Sequence, residues 1–251
     1  MSRLASEWIR ARSVRGTWLL MGATMLTTVA VSLLGISGLH GGWLEELPDP
    51  WDPTAMSLKG ILVGQLLIGM LGAGTITSEY ATGMIATSLS ISPQRSKLLA
   101  AKAGIASALA LATALVTVGL SFVAGQGVIG AAGLPAASLG DPGVLRALLA
   151  AVAYLTLTAL LGLAFGVITR SSSGALALIV VIALLAPALT PGLPGPLGES
   201  LGDYWPTTAG QAAYSVADTG GAPPMVGIGV MAVFTVWLTV ASHITLRRRD
   251  A

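Results

Sequence analysis

The chain has 251 residues, of which 54% are hydrophobic and only 10% are charged, and its mean hydropathy is +0.81. A soluble domain carries about 25% charged residues because its surface faces water, so this composition predicts a membrane protein. The chain has no cysteine, which excludes disulfides, thiolate metal sites and cysteine nucleophiles, and its formal charge of +2 does not indicate a nucleic-acid-binding protein.

Six apolar stretches meet or approach the roughly 20 residues that a transmembrane helix needs. In chain order they cover residues 17–36, 60–77, 98–124, 147–169, 174–189 and 225–246. The fifth stretch is the shortest, and we expect it to end in prolines, which cannot extend a helix: Pro187, Pro191, Pro194 and Pro196. The first is longer than the core of a secretory signal, about 7–15 residues, and is interpreted as an uncleaved anchor.

The charged residues predict the orientation of these spans, since lysine and arginine favour cytoplasmic loops. With six spans, 11 of the 13 basic residues fall on one side, and the other side has Lys59 and Arg146. Eight acidic residues fall on that second side: Glu45, Glu46, Asp49, Asp52, Asp141, Glu199, Asp203 and Asp218. We therefore predict an all-α membrane protein, a single domain over residues 1–251 with six transmembrane helices and both termini in the cytoplasm.

The middle of each predicted span lacks aspartate, glutamate, lysine and arginine. Ion-coupled carriers normally need charges or broken helices at this depth, so a secondary carrier is disfavoured. The spans also lack the Ser/His, Asp/Asp or His/Glu sets of a membrane enzyme, and His40 and His243, near opposite ends of the chain, are interpreted as interfacial residues. The polar side chains that remain, among them Gln65 and Tyr154, are expected to bond to carbonyls of their own helix.

Glycine is abundant in the predicted spans and clusters at Gly69, Gly72 and Gly74 and at Gly162 and Gly166. Small residues at this spacing allow two helices to approach closely in lipid. We interpret them as contacts between helices of this chain, with a subunit interface as the alternative.

The predicted cytoplasmic loop between the second and third spans has a pattern of its own. After Gly83 it can form a short helix with Ile85 and Leu89 on one face, and Pro93 would end that helix. Three basic residues are expected to anchor the next span at the cytoplasmic surface: Arg95, Lys97 and Lys102. From the residues alone, this is either a helix that contacts a soluble partner or a positive-inside loop without one.

The order Glu79-Tyr80-x-x-Gly83, Leu89, Pro93-x-Arg95 and Ala101-Lys102 resembles the first inner loop of type-2 ABC transporter permeases. In that family this loop forms a coupling helix that docks into a separate ATPase subunit. The resemblance therefore implies an ATPase-coupling role for eight residues: Glu79, Tyr80, Gly83, Ile85, Leu89, Pro93, Arg95 and Lys97. Glu79 is expected to supply a charged contact or a helix cap at that interface.

Two further segments resemble the same family. The start of the chain looks like the interfacial helix before the family's first span, which implies that Trp8, Arg12 and Arg15 are interfacial anchors. Residues 204–210 look like the stretch before the last span, which often makes short re-entrant helices. Tyr204 and Trp205 could equally form an interfacial pair of aromatic residues.

The resemblance implies the permease subunit of an ATP-binding cassette exporter in a bacterial inner membrane. The chain lacks the P-loop motif, so ATP and Mg²⁺ are expected in two copies of a partner ATPase, and neither a cofactor nor a catalytic residue is expected here. A second membrane subunit, identical or homologous, would complete the path. The main alternative is an ATP-independent membrane scaffold or immunity-type protein. The apolar interior suggests a lipophilic or amphipathic cargo, such as a drug, a peptide or a lipid.

Overall fold

The computed structural model describes residues 14–37, 49–84, 95–218 and 220–249, which are helical with no strand among them. Six helices in this described part are long and apolar enough to cross a membrane, which confirms the predicted all-α architecture with six spans. The spans are α1 (Arg15–Ser37), α3 (Ile61–Ala81), α4 (Arg95–Ala131), α5 (Val144–Thr169), a fifth one over residues 172–192 and α10 (Pro224–Arg249). Apolar helices suit a bilayer because each satisfies its own backbone hydrogen bonds. The side on which the termini lie stays a prediction, and we use "inner end" and "outer end" in that predicted sense.

The fourth span, α5, is the centre of the bundle and packs against α3, α4 and α10. Its closest neighbour is α3, and glycines on both helices permit the approach. A Cβ atom on Gly72 would overlap the carbonyl of Ala159, and one on Gly162 would overlap the carbonyl of Gly69. Gly72 and Gly162 therefore form contacts within the chain, as interpreted from the sequence.

The fifth span is irregular because it contains a proline. It begins as α6 (Ser172–Val180), widens into a π-helix (Val181–Leu185), continues as α7 (Ala186–Leu189) and closes with a 3₁₀ turn (Thr190–Gly192). Pro187 lies inside the span, and the α-helical part ends at Leu189, among the prolines that were expected to end it. The π-turn makes this possible, since the N–H of Ala186 bonds to Val181 five residues back and the helix widens just before the proline ring.

Three short helices lie at the outer end. Helix α2 (Pro53–Ser57) precedes the second span, and its N-cap is Asp52. Helices α8 (Pro196–Tyr204) and α9 (Pro206–Ala212) follow the fifth span and are separated by Trp205. Helix α9 packs against the fourth and sixth spans. The described part of the stretch between the last two spans thus consists of short helices and turns.

Candidate functional site

Much of the predicted coupling loop falls outside the described residues. This applies to Ile85, Leu89 and Pro93, and also to the proposed anchors Trp8 and Arg12. Arg95 is described as the first residue of α4. The structure therefore describes the two ends of this loop, up to residue 84 and from residue 95.

The second span ends at a left-handed glycine immediately before this loop. The N–H of Thr82 bonds to the carbonyl of Ser78 at 3.3 Å, and the N–H of Gly83 bonds to Tyr80 at 3.3 Å. Gly83 has a φ of +69°, a conformation that other residues adopt at a cost, which explains the glycine at this position. The chain thus turns sharply where the predicted coupling helix would begin.

Glu79 lies inside the bundle, and the ATPase contact that its position in the motif implies stays a prediction. Its side chain is fully buried and forms an ion pair with Lys102 in the first turns of the third span. The Lys102 ammonium also donates to the carbonyl of Thr75 at 3.0 Å. Lys102 is 1% exposed, so it does not anchor the span at the surface as predicted but joins the second and third spans inside the bundle. The reason is that both helices extend beyond the predicted spans, which places the two charges side by side.

Other contacts tie the same turn of the second span to its neighbours. The Arg170 guanidinium, which follows the fourth span, lies over the ring of Tyr80 at 5.5 Å. The hydroxyls of Thr77 and Ser172, at the start of the fifth span, are 2.7 Å apart. We call this set the inner hub, comprising Thr77, Glu79 and Tyr80 with Lys102, Arg170 and Ser172. It fixes the inner end of the second span to the third, fourth and fifth spans.

Two residues predicted to act at the surface do lie there. Lys97 is exposed in the first turn of α4, and Arg15 is exposed at the start of α1. The neighbour of Lys97, Ser96, lies 3.3 Å from the imidazole of His243 in the sixth span. Lys97 is therefore accessible to a soluble partner, whereas Glu79 is not.

At the outer end, the two aromatic residues of the family-like segment differ in environment. Tyr204 is half exposed, but the indole N–H of Trp205 donates to the carbonyl of Ile182 at 2.8 Å. The hydroxyl of Thr207 donates to the same carbonyl at 3.1 Å. Trp205 is therefore hydrogen-bonded to the fifth span, in addition to any contact with the membrane interface.

The chemistry of the π-turn explains why this carbonyl is available. An α-helix would pair Ile182 with the N–H of Ala186, but that group bonds to Val181 instead. The next residue, Pro187, has no N–H to offer. Trp205 and Thr207 thus replace the hydrogen bond that the proline removes.

A buried polar cluster also joins helix α9 to two spans. The hydroxyl of Tyr154 donates to the side-chain carbonyl of Gln65, and the amide of Gln211 lies 3.2 Å from that hydroxyl. Gln65 also donates to the carbonyl of Leu62, in its own helix, as predicted. The hydroxyl of Tyr154 thus contacts polar side chains of a neighbouring span and of α9.

One outer carboxylate that the sequence did not single out makes four hydrogen bonds. One oxygen of Asp52 accepts from the N–H of Ala55 at 2.9 Å and caps α2. The other accepts from the hydroxyl of Ser215 at 2.8 Å and from the N–H groups of Val216 at 2.6 Å and Ala217 at 2.9 Å. Asp52 therefore ties the segment before the last span to the loop before the second span.

These hydrogen bonds also decide the protonation of the carboxyl. The largest influence is burial, which raises the pKa of Asp52, but the donors from Ala55, Ala217, Ser215 and Val216 together outweigh it. The pKa of Asp52 consequently lies below its ordinary value, and the group is a carboxylate at neutral pH.

Arg146 binds the same segment from the side of the fourth span. One terminal nitrogen of its guanidinium donates to the carbonyl of Ala213 at 3.1 Å and the other to the carbonyl of Ser215 at 2.8 Å. We call Asp52 and Arg146, with residues 213–217, the outer clasp. One indication of the outer clasp was present in the sequence, since Arg146 is one of only two basic residues on the predicted outer side.

The comparison with protein families gives one match. A family model described as ABC-2 family transporter protein matches residues 4–186, which is well over half of the chain. The matched region covers the first four spans, the predicted coupling loop and most of the fifth span. The search of curated proteins and the search of solved structures gave no match.

Proposed function

Because this chain belongs to the ABC-2 transporter family, we propose that it is the membrane subunit of an ATP-driven exporter and couples to a separate ATPase through the loop between its second and third spans. The family match over residues 4–186 is the observation that carries the proposal. Six apolar helices and this family identify a multi-pass membrane protein, and membrane subunits of the family work with ATP-binding subunits in ABC transporters. The chain therefore supplies the path, and hydrolysis belongs to its partner.

The proposed assembly contains two membrane subunits, identical or homologous, and two copies of the ATPase, in a bacterial inner membrane. ATP and Mg²⁺ would bind to the ATPase subunits. The loop after Gly83 would form the coupling helix, and exposed Lys97 would contact the partner or lipid headgroups beside it.

The inner hub supports this proposal because it offers a physical route from the loop to the spans. The loop is flanked by two helices whose inner ends are held together by the buried pair of Glu79 and Lys102. A buried ion pair is costly to separate, so these two ends move as one body. Tyr80 and Thr77 extend the connection to the fourth and fifth spans through Arg170 and Ser172. Displacement of the loop by a partner would therefore tilt several spans together.

A crosslinking experiment tests the proposal at the loop itself. A photo-reactive amino acid replaces Leu89 in the loop or, as the matched control, Leu197, which is exposed in α8 at the outer end. We expect illumination of native membranes to attach a P-loop ATPase at position 89 and not at position 197. Absence of an ATPase adduct at position 89, with the variant present at the level of the unmodified chain, would contradict the proposal and favour the scaffold or immunity-type alternative.

A further inference from the structure

Two cavities adjoin one another at the outer end, between the fourth and sixth spans. One has a volume of about 300 Å³ and the other of about 340 Å³, and both are lined by Arg146 and Pro224. The first is lined by both polar and apolar groups and lies against the segment 212–218, whereas the second is apolar and continues along the two spans. We call the first the polar part and the second the apolar part. Together they form an outer groove, lined among others by Arg146, Asp218, Ser215, Leu149, Ala153 and Ile228.

The polar part of the outer groove presents both signs of charge. Arg146 and Asp218 line the same cavity. A guanidinium has five N–H donors, and the two bonds of the outer clasp use two of them. Asp218 is exposed, with one carboxylate oxygen accepting from the N–H of Gly220 at 2.9 Å. This end of the groove is therefore complementary to a headgroup that combines an anionic phosphate with an ammonium.

The apolar part is a trough formed by small side chains between larger ones. On the fourth span, Leu149, Ala150 and Ala153 follow Arg146 along one face of the helix, and Ile228 of the sixth span lies opposite. Seven residues of helix correspond to about 10 Å, which is enough for the first part of an acyl chain. Leu149 is 58% exposed, so the trough is open to the surrounding lipid.

The wall of the polar part is held in place before any ligand binds. It consists of the segment that the outer clasp fixes through three bonds from Asp52 and two from Arg146. A preformed wall reduces the ordering cost of binding. Arg146 thus has two roles, since it positions the wall and also faces the groove.

We propose that the outer groove binds one zwitterionic phospholipid of the phosphoethanolamine type, with its phosphate at Arg146, its ammonium at Asp218 and an acyl chain along Leu149, Ala153 and Ile228. A purely anionic headgroup fits less well, because it would place its net charge beside Asp218. Burial of the acyl chain in the trough is favourable, but annular sites offer the same contribution, so selectivity arises at the headgroup. The site lies at the opposite end from the coupling loop and does not depend on the proposed function.

The test compares how strongly the delipidated full-length protein retains two phospholipids that have identical acyl chains and different headgroups. Phosphatidylethanolamine or phosphatidylglycerol is added in detergent, and the lipid retained after washing is counted by mass spectrometry. We expect the wild type to retain about fivefold more phosphatidylethanolamine than phosphatidylglycerol, because one ion pair near the surface contributes up to about 1 kcal/mol. Equal retention of both lipids would show an annular contact and would overturn the proposal.

Two variants locate the binding to the groove. Asp218→Lys should reverse the preference towards phosphatidylglycerol, and Ala153→Phe should abolish selective retention by filling the trough. The control, Leu120→Phe, is a lipid-exposed position on the third span and should behave as wild type. An unchanged preference in Asp218→Lys would overturn the proposal whatever the effect of Ala153→Phe. Conversion of a dimer to a monomer by Ala153→Phe would instead assign the groove to a second copy of the chain.

Discussion

Glu79 and Lys102 form the ion pair on which the inner hub depends. Both side chains are at most 1% exposed, and the two form an ion pair. A buried pair contributes little net stability, but loss of one member leaves an uncompensated charge in a medium of low dielectric constant. In the proposed coupling Glu79 therefore acts indirectly, because it positions the two helices that flank the loop.

The first prediction concerns this pair. Glu79→Ala is expected to lower the free energy of unfolding by about 3–5 kcal/mol, since it leaves the Lys102 ammonium buried without its partner. Thermal unfolding of the purified chain measures the effect. The double variant Glu79→Leu/Lys102→Met should recover most of the loss, and Lys97→Ala, at an exposed position of the same helix, should change stability by less than about 0.5 kcal/mol. A Glu79→Ala protein as stable as the wild type would contradict the ion-pair account.

Asp52 allows a prediction about pH. Because its pKa is lower in the folded state than the unfolded value of about 3.9, its charged form stabilises the fold above that pH. This contribution is lost as the pH falls through the folded pKa. Asp52→Asn should therefore be less stable than the wild type by about 1–3 kcal/mol at pH 7, and the difference should shrink below about pH 4.

The measurement for Asp52 is the difference in unfolding temperature between wild type and variant over a pH series. Subtraction removes the titration of the other carboxyl groups. Ser215→Ala deletes one of the four hydrogen-bond donors and should show a smaller part of the same difference. Equal unfolding temperatures of wild type and Asp52→Asn at pH 7 would show that the outer clasp does not hold the fold.

At the residue scale, the sequence predicts whether a side chain is exposed better than it predicts which residue that side chain contacts. Lys97 and Arg15 are exposed, as a basic loop residue is expected to be. The pairing of Glu79 with Lys102 could not be read from spacing, since it depends on how far each helix continues beyond its apolar run. Asp52 gave no local signal for its outer contacts, because the two backbone N–H groups and the hydroxyl that it accepts from are more than 160 residues away.

At the scale of elements, the fifth span shows how a proline is accommodated within an apolar helix. The π-turn before Pro187 leaves the carbonyl of Ile182 without its helical donor, and the segment around Trp205 supplies two donors in its place. An unsatisfied backbone carbonyl is especially costly in lipid, where water cannot replace the donor. The proline and the outer segment are therefore linked energetically, although they lie 18 residues or more apart.

This link predicts a thermodynamic coupling. Trp205→Phe/Thr207→Val removes both donors and should cost about 1–3 kcal/mol, because the carbonyl of Ile182 is left unpaired. In the background of Pro187→Ala the same double change should cost less, since residue 187 then has an N–H. Unfolding measurements on the four proteins form a double-mutant cycle. Additive effects would refute the coupling, and Trp237→Phe, at an exposed position, serves as the control.

The six membrane-spanning helices were predictable, because a long apolar run that crosses a bilayer must form a helix or part of a closed barrel to satisfy its backbone hydrogen bonds. Six spans were expected and six were found in the described residues. What the sequence could not predict was the behaviour of Pro187, since a proline followed by apolar residues is compatible with an end or a π-turn. The glycine clusters predicted close packing, but only the structure shows that Gly72 and Gly162 bring the second and fourth spans together.

At the scale of the whole molecule, the two ends of the bundle are organised differently. The inner end has the basic residues and a hub that converges on the turn before the predicted coupling loop. Short helices cover the outer end. Hydrogen bonds of charged and aromatic side chains hold this outer segment against the spans. This asymmetry is compatible with a protein that receives a mechanical input on one side and presents its exit on the other.

The charge pattern and the loop motif were sufficient to suggest the family, which the match over residues 4–186 supports independently. The groove between the fourth and sixth spans could not be predicted, because it depends on where two helices diverge.

Purification of the tagged chain from its native host in mild detergent tests the central claim most directly. We expect a P-loop ATPase to copurify with the chain, one copy for each membrane subunit, and to hydrolyse ATP. It should be lost from the loop variant Leu89→Asp and kept by the outer control Leu197→Asp. Recovery of the intact chain without any ATPase, also after chemical crosslinking in the membrane, would contradict the assignment as an ATP-driven permease subunit.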